Sequence, residues 1–112
     1  MTKIAIVTGA SRGFGRGTAR ILASEAGYKV YATARTESAL HSLQKVVAES
    51  NAAGEVIPVV LDQSDDEAVA EFVRRVSASE EKIDLLVNSA YAGLIAMTPH
   101  FGKPFWERPI SV

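Results

Sequence analysis

The sequence predicts an α/β fold in which a parallel sheet is wound with helices on both faces. Three observations predict it. Four short apolar runs recur along the chain, each rich in β-branched residues and of the length of a buried strand. Segments with apolar residues at helical spacing separate them, so the order reads βαβαβαβ, and right-handed crossovers turn that order into a parallel sheet. The first strand also runs straight into a turn containing Gly9, Gly13 and Gly15, and then into a helix.

Lys3-Ile4-Ala5-Ile6-Val7 is the first strand. In the helix after the glycine turn, Phe14, Thr18, Ile21 and Leu22 fall at i, i+4, i+7 and i+8, which predicts that this face meets the core. Gly27 is a natural C-terminal stop. Lys29 to Ala34 is a second strand. Either Thr36 or Ser38 caps the second helix, whose Leu40, Leu43, Val46 and Val47 share a face, and Gly54 ends the segment. Val56-Ile57-Pro58-Val59-Val60-Leu61 is the third strand. Proline cannot donate to a ladder, so Pro58 places this strand at a sheet edge, as strand order 3-2-1-4 requires. Ser64-Asp65-Asp66-Glu67 is a capping box, with Ser64 as cap and Glu67 reaching back, and it opens a helix carrying Val69, Phe72, Val73 and Val76. Ile83-Asp84-Leu85-Leu86-Val87 is the fourth strand.

Beyond Gly93 the periodicity stops. Residues 94–112 carry three prolines and the aromatics Phe101, Phe105 and Trp106. These read as a surface loop whose aromatics tuck against the sheet, or as part of a lid or interface. The chain therefore divides into 1–93, which carries the alternating strands and helices, and 94–112, a tail.

Composition removes several function classes. The 112 residues are 47% hydrophobic, enough for one small domain with a core. A formal charge of −1 gives no global electrostatic case for nucleic acid or an anionic membrane. The chain contains no cysteine, and its two histidines, His41 and His100, are not at ligand spacing, so a metal site is not expected. The absence of thiols suits a reducing compartment, and no run approaches a membrane span; the expectation is a soluble, cytoplasmic protein.

The glycine turn carries the chemistry. Three glycines let the backbone turn sharply and approach a ligand with no Cβ in the way. The helix beyond points unsatisfied N–H groups and the positive end of its dipole at the turn, which suits a dinucleotide pyrophosphate. Ligands of such sheets sit at the carboxyl ends of the strands. Arg35 ends the second strand, 20 residues after Gly15 (35 − 15), where NAD-selective proteins carry an acid. A guanidinium there pairs with a 2′-phosphate instead, and Arg12 in the glycine turn can close on it from the other side. Either arginine could also be an ordinary solvated charge.

Thr8-Gly9-Ala10-Ser11-Arg12-Gly13-Phe14-Gly15 resembles the cofactor loop of the short-chain dehydrogenase/reductase family, and the resemblance extends over the whole chain. It implies the N-terminal half of a Rossmann-type sheet. It also implies cofactor contacts at Gly9, Ser11, Arg12, Gly13, Phe14, Gly15 and Arg35, at Asp62 with Gln63, and at Asn88 with Ala90. The aspartate would bond the adenine amino group, although Asp62 also suits the start of a helix. Asn88-Ser89-Ala90-Tyr91 is similar to the family's Asn-Asn-Ala-Gly segment, with Ser89 and Tyr91 as departures.

The family's catalytic serine and Tyr-x-x-x-Lys pair have no counterpart: four residues after Tyr28, Tyr31 and Tyr91 stand Ala32, Arg35 and Ile95. The expectation is an N-terminal piece of a longer NADP(H)-dependent oxidoreductase acting on a carbonyl/alcohol substrate, inactive alone, with NAD the less favoured cofactor and a homo-oligomer admitted for the complete enzyme. No residue of this chain is assigned to catalysis or a metal. A non-catalytic nucleotide-binding or interaction module is the alternative.

Overall fold

A computed structural model describes residues 2–50 and 53–89. Residues 90–112 lie outside the described residues, and with them the expectations placed on Ala90, Tyr91 and the aromatic tail. Seven elements alternate: β1 (Ile4–Thr8), α1 (Gly13–Ser24), β2 (Lys29–Ala34), α2 (Glu37–Glu49), β3 (Glu55–Val60), α3 (Asp66–Ser79) and β4 (Leu85–Asn88). The four strands form one parallel sheet in the order β3-β2-β1-β4, as the sequence predicts.

Alternation along the strands divides the core in two. Ala5 and Val7 of β1 and Val30, Ala32 and Ala34 of β2 pack with Leu40, Leu43 and Val47 of α2 and with Ala19 and Ala23 of α1. Ile4, Ile6, Tyr31, Val59 and Leu61 face the opposite side and cover Phe72 and Val76 of α3. The Tyr31 and Phe72 rings meet edge to face, with centroids 6.3 Å apart. Leu40 and Leu43 are fully buried, each contributing about 1.5–3 kcal/mol of apolar burial.

Pro58 sits on the edge strand, opposite Ala32. The amides of Glu55 and Leu61 donate to the carbonyls of Tyr28 and Ala34 on the β2 side. Alternate residues of a parallel strand turn their amides to opposite sides, so the Pro58 nitrogen faces away from β2. On that outer side the Val56 carbonyl accepts a bond from Gln44 Nε2 at 3.2 Å.

The predicted faces of all three helices are corrected. The face of α1 that meets the sheet is Gly15, Ala19 and Ala23, one residue on from the predicted stripe, while Phe14 is 79% exposed and Ile21 46%. Small residues face inward because Gly15 must lie against the Gly9 carbonyl; of Phe14, Ile21 and Leu22, Leu22 alone packs on the core. In α2, Leu40, Leu43 and Val47 are buried and Val46 is exposed; in α3, Phe72 and Val76 are buried and Val73 is exposed. A helix needs only a narrow stripe against a sheet, so residues at its margins stay in solvent.

The cap of α3 is Asp65 rather than Ser64: its carboxylate accepts the Ala68 amide at 3.1 Å. Asp62 takes both the Ser64 amide (2.9 Å) and the Ser64 hydroxyl (2.7 Å), so the serine closes the preceding turn and the helix starts one residue later. Gly27 follows α1 with φ +75°, as a helix stop requires, and the Thr36 side chain makes no capping bond at α2.

Candidate functional site at the carboxyl ends of the strands

The end of β1 and the start of α1 bring Gly9, Ser11, Arg12, Gly13, Phe14 and Gly15 into one turn. Gly9 and Gly13 both hold φ +62°, a left-handed conformation that glycine adopts without strain. A Cβ on Gly13 would meet nothing within 4 Å, so the backbone there faces open space. Gly15 is the opposite case. Its Cβ position collides with the Gly9 carbonyl and lies 2.6 Å from Ser89 Oγ, so only glycine lets α1 start this close to β1.

The opening turn of α1 carries nothing that neutralises the positive end of its dipole. Its N-cap position is Arg12, with no capping side chain, and the first turn holds no acid. By contrast α3 has its Asp65 cap and both Asp66 and Glu67 in the first turn. Uncapped amides and the positive dipole end of α1 thus face the open side of the glycine turn and can hold an anion.

The floor of the turn is braced from two sides. On one, the Ala10 amide donates to the Thr33 carbonyl of β2 at 2.9 Å. On the other, Thr8 Oγ1 donates to Asn88 Oδ1 at 2.9 Å and accepts the Ser89 amide at 3.0 Å, while the Ser89 hydroxyl donates to the Thr8 carbonyl. β4 stays in register with β1 as far as Thr8 opposite Asn88. With serine in place of the pattern's second asparagine, β4 stays paired with β1 to Asn88 and Ser89 bonds back to Thr8.

Arg35 and Asp62 come together at the next corner. Arg35 Nη2 lies 3.9 Å from Asp62 Oδ1, with both side chains more than half exposed. The hydroxyl of Ser64 first, then its amide, and to a lesser degree Arg35, hold the Asp62 carboxyl below the usual range. Gln63 beside it is half-buried, and Arg12 and Phe14 stand exposed on the rim. Sequence reasoning missed Thr8 and Ser89 as braces, and missed Arg16, whose guanidinium reaches α2. Thr8 leads the Thr-Gly pair and was legible by position; nothing in the spacing singles out Arg16. Among the described residues no three His, Cys, Asp or Glu side chains gather to hold a metal.

The short chain dehydrogenase family model matches residues 3–112. The chain belongs to the short-chain dehydrogenase family. Human and mouse dehydrogenase/reductase SDR family member 1 are each 39% identical to it over 112 residues, covering 98% of this chain and 34% of theirs. The 7alpha-hydroxysteroid dehydrogenase of Clostridium sardiniense is 38% identical over 92 residues, covering 81% of this chain and 33% of its own. A metagenomic short-chain oxidoreductase solved in complex with NADP superposes with a TM-score of 0.75 at 32% identity, over 96% of this chain and 45% of that one. The short-chain dehydrogenase fold seen here thus spans about a third of the length of the curated relatives it matches first. Among its described residues no helix is long and apolar enough to cross a membrane.

Proposed function

We propose that this chain is the cofactor-binding half, residues 1–93, of an NADP(H)-dependent oxidoreductase acting on a carbonyl/alcohol substrate, with residues 94–112 leading toward a catalytic half. The observation that carries the proposal is the pairing of a bare helix N-terminus with an exposed arginine at the end of β2. The open, acid-free start of α1 suits the pyrophosphate. Arg35 stands where an acid would repel a 2′-phosphate, and its ion pair with Asp62 is long enough to exchange for a phosphate contact. The NADP in the similar metagenomic oxidoreductase supports the same choice.

The residues fit the dinucleotide. Gly9, Ser11, Gly13 and Gly15 would cradle the pyrophosphate, Arg12 and Arg35 the 2′-phosphate, Asp62 and Gln63 the adenine, and Asn88 and Ala90 the ribose side; Phe14 would cover the rim. When bound, the nicotinamide supplies or accepts the hydride. The side chains of this half would bind and orient the cofactor; no tyrosine of the sequence is followed by lysine four residues on, so proton transfer is assigned to none of them. The chain alone is therefore expected to bind cofactor without turnover, since acid–base help is worth about 10²–10⁴ in rate.

Fluorescence titration of NADPH and NADH against wild type and Arg35→Asp tests the proposal. Losing a charge-assisted contact costs roughly 1.5–3 kcal/mol, about tenfold to a hundredfold in affinity. Arg35→Asp should weaken NADPH by that factor and leave NADH equal or better. Wild type that prefers NADH, or an unchanged ratio in the variant, refutes the NADP assignment.

A further inference from the structure

We infer that Arg16 is a positioning residue for nucleotide selectivity: its guanidinium ties α1 to the start of α2 and so sets where Arg35 stands. The inference rests on the NADP reading above. Arg16 follows Gly15 directly, half-buried on α1. Its Nη1 donates to the Ala39 carbonyl at 3.1 Å and its Nη2 to Ser42 Oγ at 3.4 Å. Ala39 is four residues beyond Arg35, in the opening turn of a helix whose N-cap, Thr36, makes no side-chain capping bond. The guanidinium only donates, so it leaves the opening amides of α2 uncapped; what it supplies is a tie between α2 and the glycine-turn helix.

The bridge therefore spans the two halves of the candidate site. One end is covalently next to the pyrophosphate turn, and the other fixes the segment that carries Arg35. On its strand side, Arg35 is already fixed by the bond from the Leu61 amide to the Ala34 carbonyl at 2.8 Å. With α2 tethered as well, the Arg35 backbone is held from both directions while its side chain stays exposed. A forked guanidinium suits two acceptors at a fixed separation, whereas a lysine ammonium is a single point of contact. Arg16 itself is committed to α2 and is not counted among the phosphate ligands.

The test titrates NADPH and NADH by fluorescence against the full chain as wild type, Arg16→Lys, Arg16→Gln and Ser42→Ala, with circular dichroism to follow folding. Arg16→Lys keeps the charge and loses the fork. It should lower the NADPH-to-NADH affinity ratio by about 3- to 10-fold, less than the loss of a direct charge-assisted contact because Arg16 acts only through the position of Arg35, with NADH binding within about twofold of wild type. Ser42→Ala, an exposed and mild change, should move the ratio the same way by less, and it keeps the test decisive if an Arg16 variant fails to fold. The inference is overturned if both affinities fall together, which marks plain packing. It is equally overturned if Arg16→Gln lowers the ratio while Arg16→Lys matches wild type, which marks a field effect of the charge. A wild type with no preference for NADPH removes the NADP reading first, and this inference with it.

Discussion

Gly15 and Ser89 meet where α1 begins and β4 ends, and a Cβ on the glycine would come within 2.6 Å of the serine hydroxyl oxygen. That serine is itself committed, its amide to Thr8 Oγ1 and its hydroxyl to the Thr8 carbonyl. The first helix, the first strand and the fourth strand are thus packed to contact at one point, directly beneath the open side of the glycine turn.

Gly15→Ala should destabilise the chain by about 1–3 kcal/mol, the usual cost of overpacking, and abolish dinucleotide binding. Adding Ser89→Ala should recover little, because the tighter collision is with the Gly9 carbonyl, which is main chain. Gly17 is the control: a Cβ there meets nothing within 4 Å, so Gly17→Ala should stabilise α1 by roughly 0.5–1 kcal/mol. Urea unfolding of the three variants checks both directions, and full rescue by Ser89→Ala would contradict the packing described.

Salt should separate the two nucleotides. The Arg35 side chain is 61% exposed, so its attraction for a 2′-phosphate is open to screening. Raising sodium chloride from low to near-molar concentration should weaken NADPH more than NADH in parallel titrations. Equal slopes would mean that the exposed arginines make no contact with the extra phosphate.

Acid should unfold the chain through carboxylates at the opposite end of the sheet. Glu80 lies 2.6 Å from Lys29 Nζ and accepts the Tyr31 hydroxyl at 2.6 Å. Lys29 first, and Tyr31 second, hold its carboxyl below the ordinary 4.5, and the Ile4 amide does the same for Asp84 relative to 3.8. A carboxylate with a lowered folded pKa contributes stability that is present above its unfolded pKa and lost as pH falls through the folded value. Thermal midpoints should therefore drop below about pH 4.5, and Glu80→Gln should lower the midpoint at pH 7 while flattening this acid limb. At the other extreme, Glu80 raises the Lys29 pKa above 10.5, so that share of stability is present below 10.5 and lost as pH climbs through the folded value. An acid limb unchanged in Glu80→Gln would assign the transition to other groups.

The helix caps offer a sharper stability test. Asp65→Ala should cost about 1 kcal/mol, as loss of an N-cap does, whereas Glu67→Ala should stay within about 0.5 kcal/mol. The reverse order in denaturant midpoints would restore the capping box that the sequence suggests.

Sheet order was legible because it rests on coarse features: alternation of periods, and one proline that a central strand does not tolerate. The glycine turn was legible because backbone geometry restricts it to glycine. What the sequence hid was which neighbour captures a given polar group. Asp62 takes the Ser64 amide and Asp65 the Ala68 amide, and the spacing alone does not distinguish Ser64 from Asp65 as the cap. The α1 face was hidden for a related reason: its buried stripe is made of Gly15, Ala19 and Ala23, and a pattern of large apolar residues cannot register small ones that face inward. Arg16 was hidden because its partners lie 23 and 26 residues away.

Pro58 makes the sheet directional. The outward nitrogen on β3 carries no hydrogen, and Gln44 already occupies the neighbouring Val56 carbonyl, so that margin resists a further strand. Among the described residues the other margin is β4, and edge pairing is easier there for a strand from the same polypeptide or from another. Pro58 and Gln44 together thus remove one donor and one acceptor from the β3 margin, which leaves it the poorer template for a pairing strand.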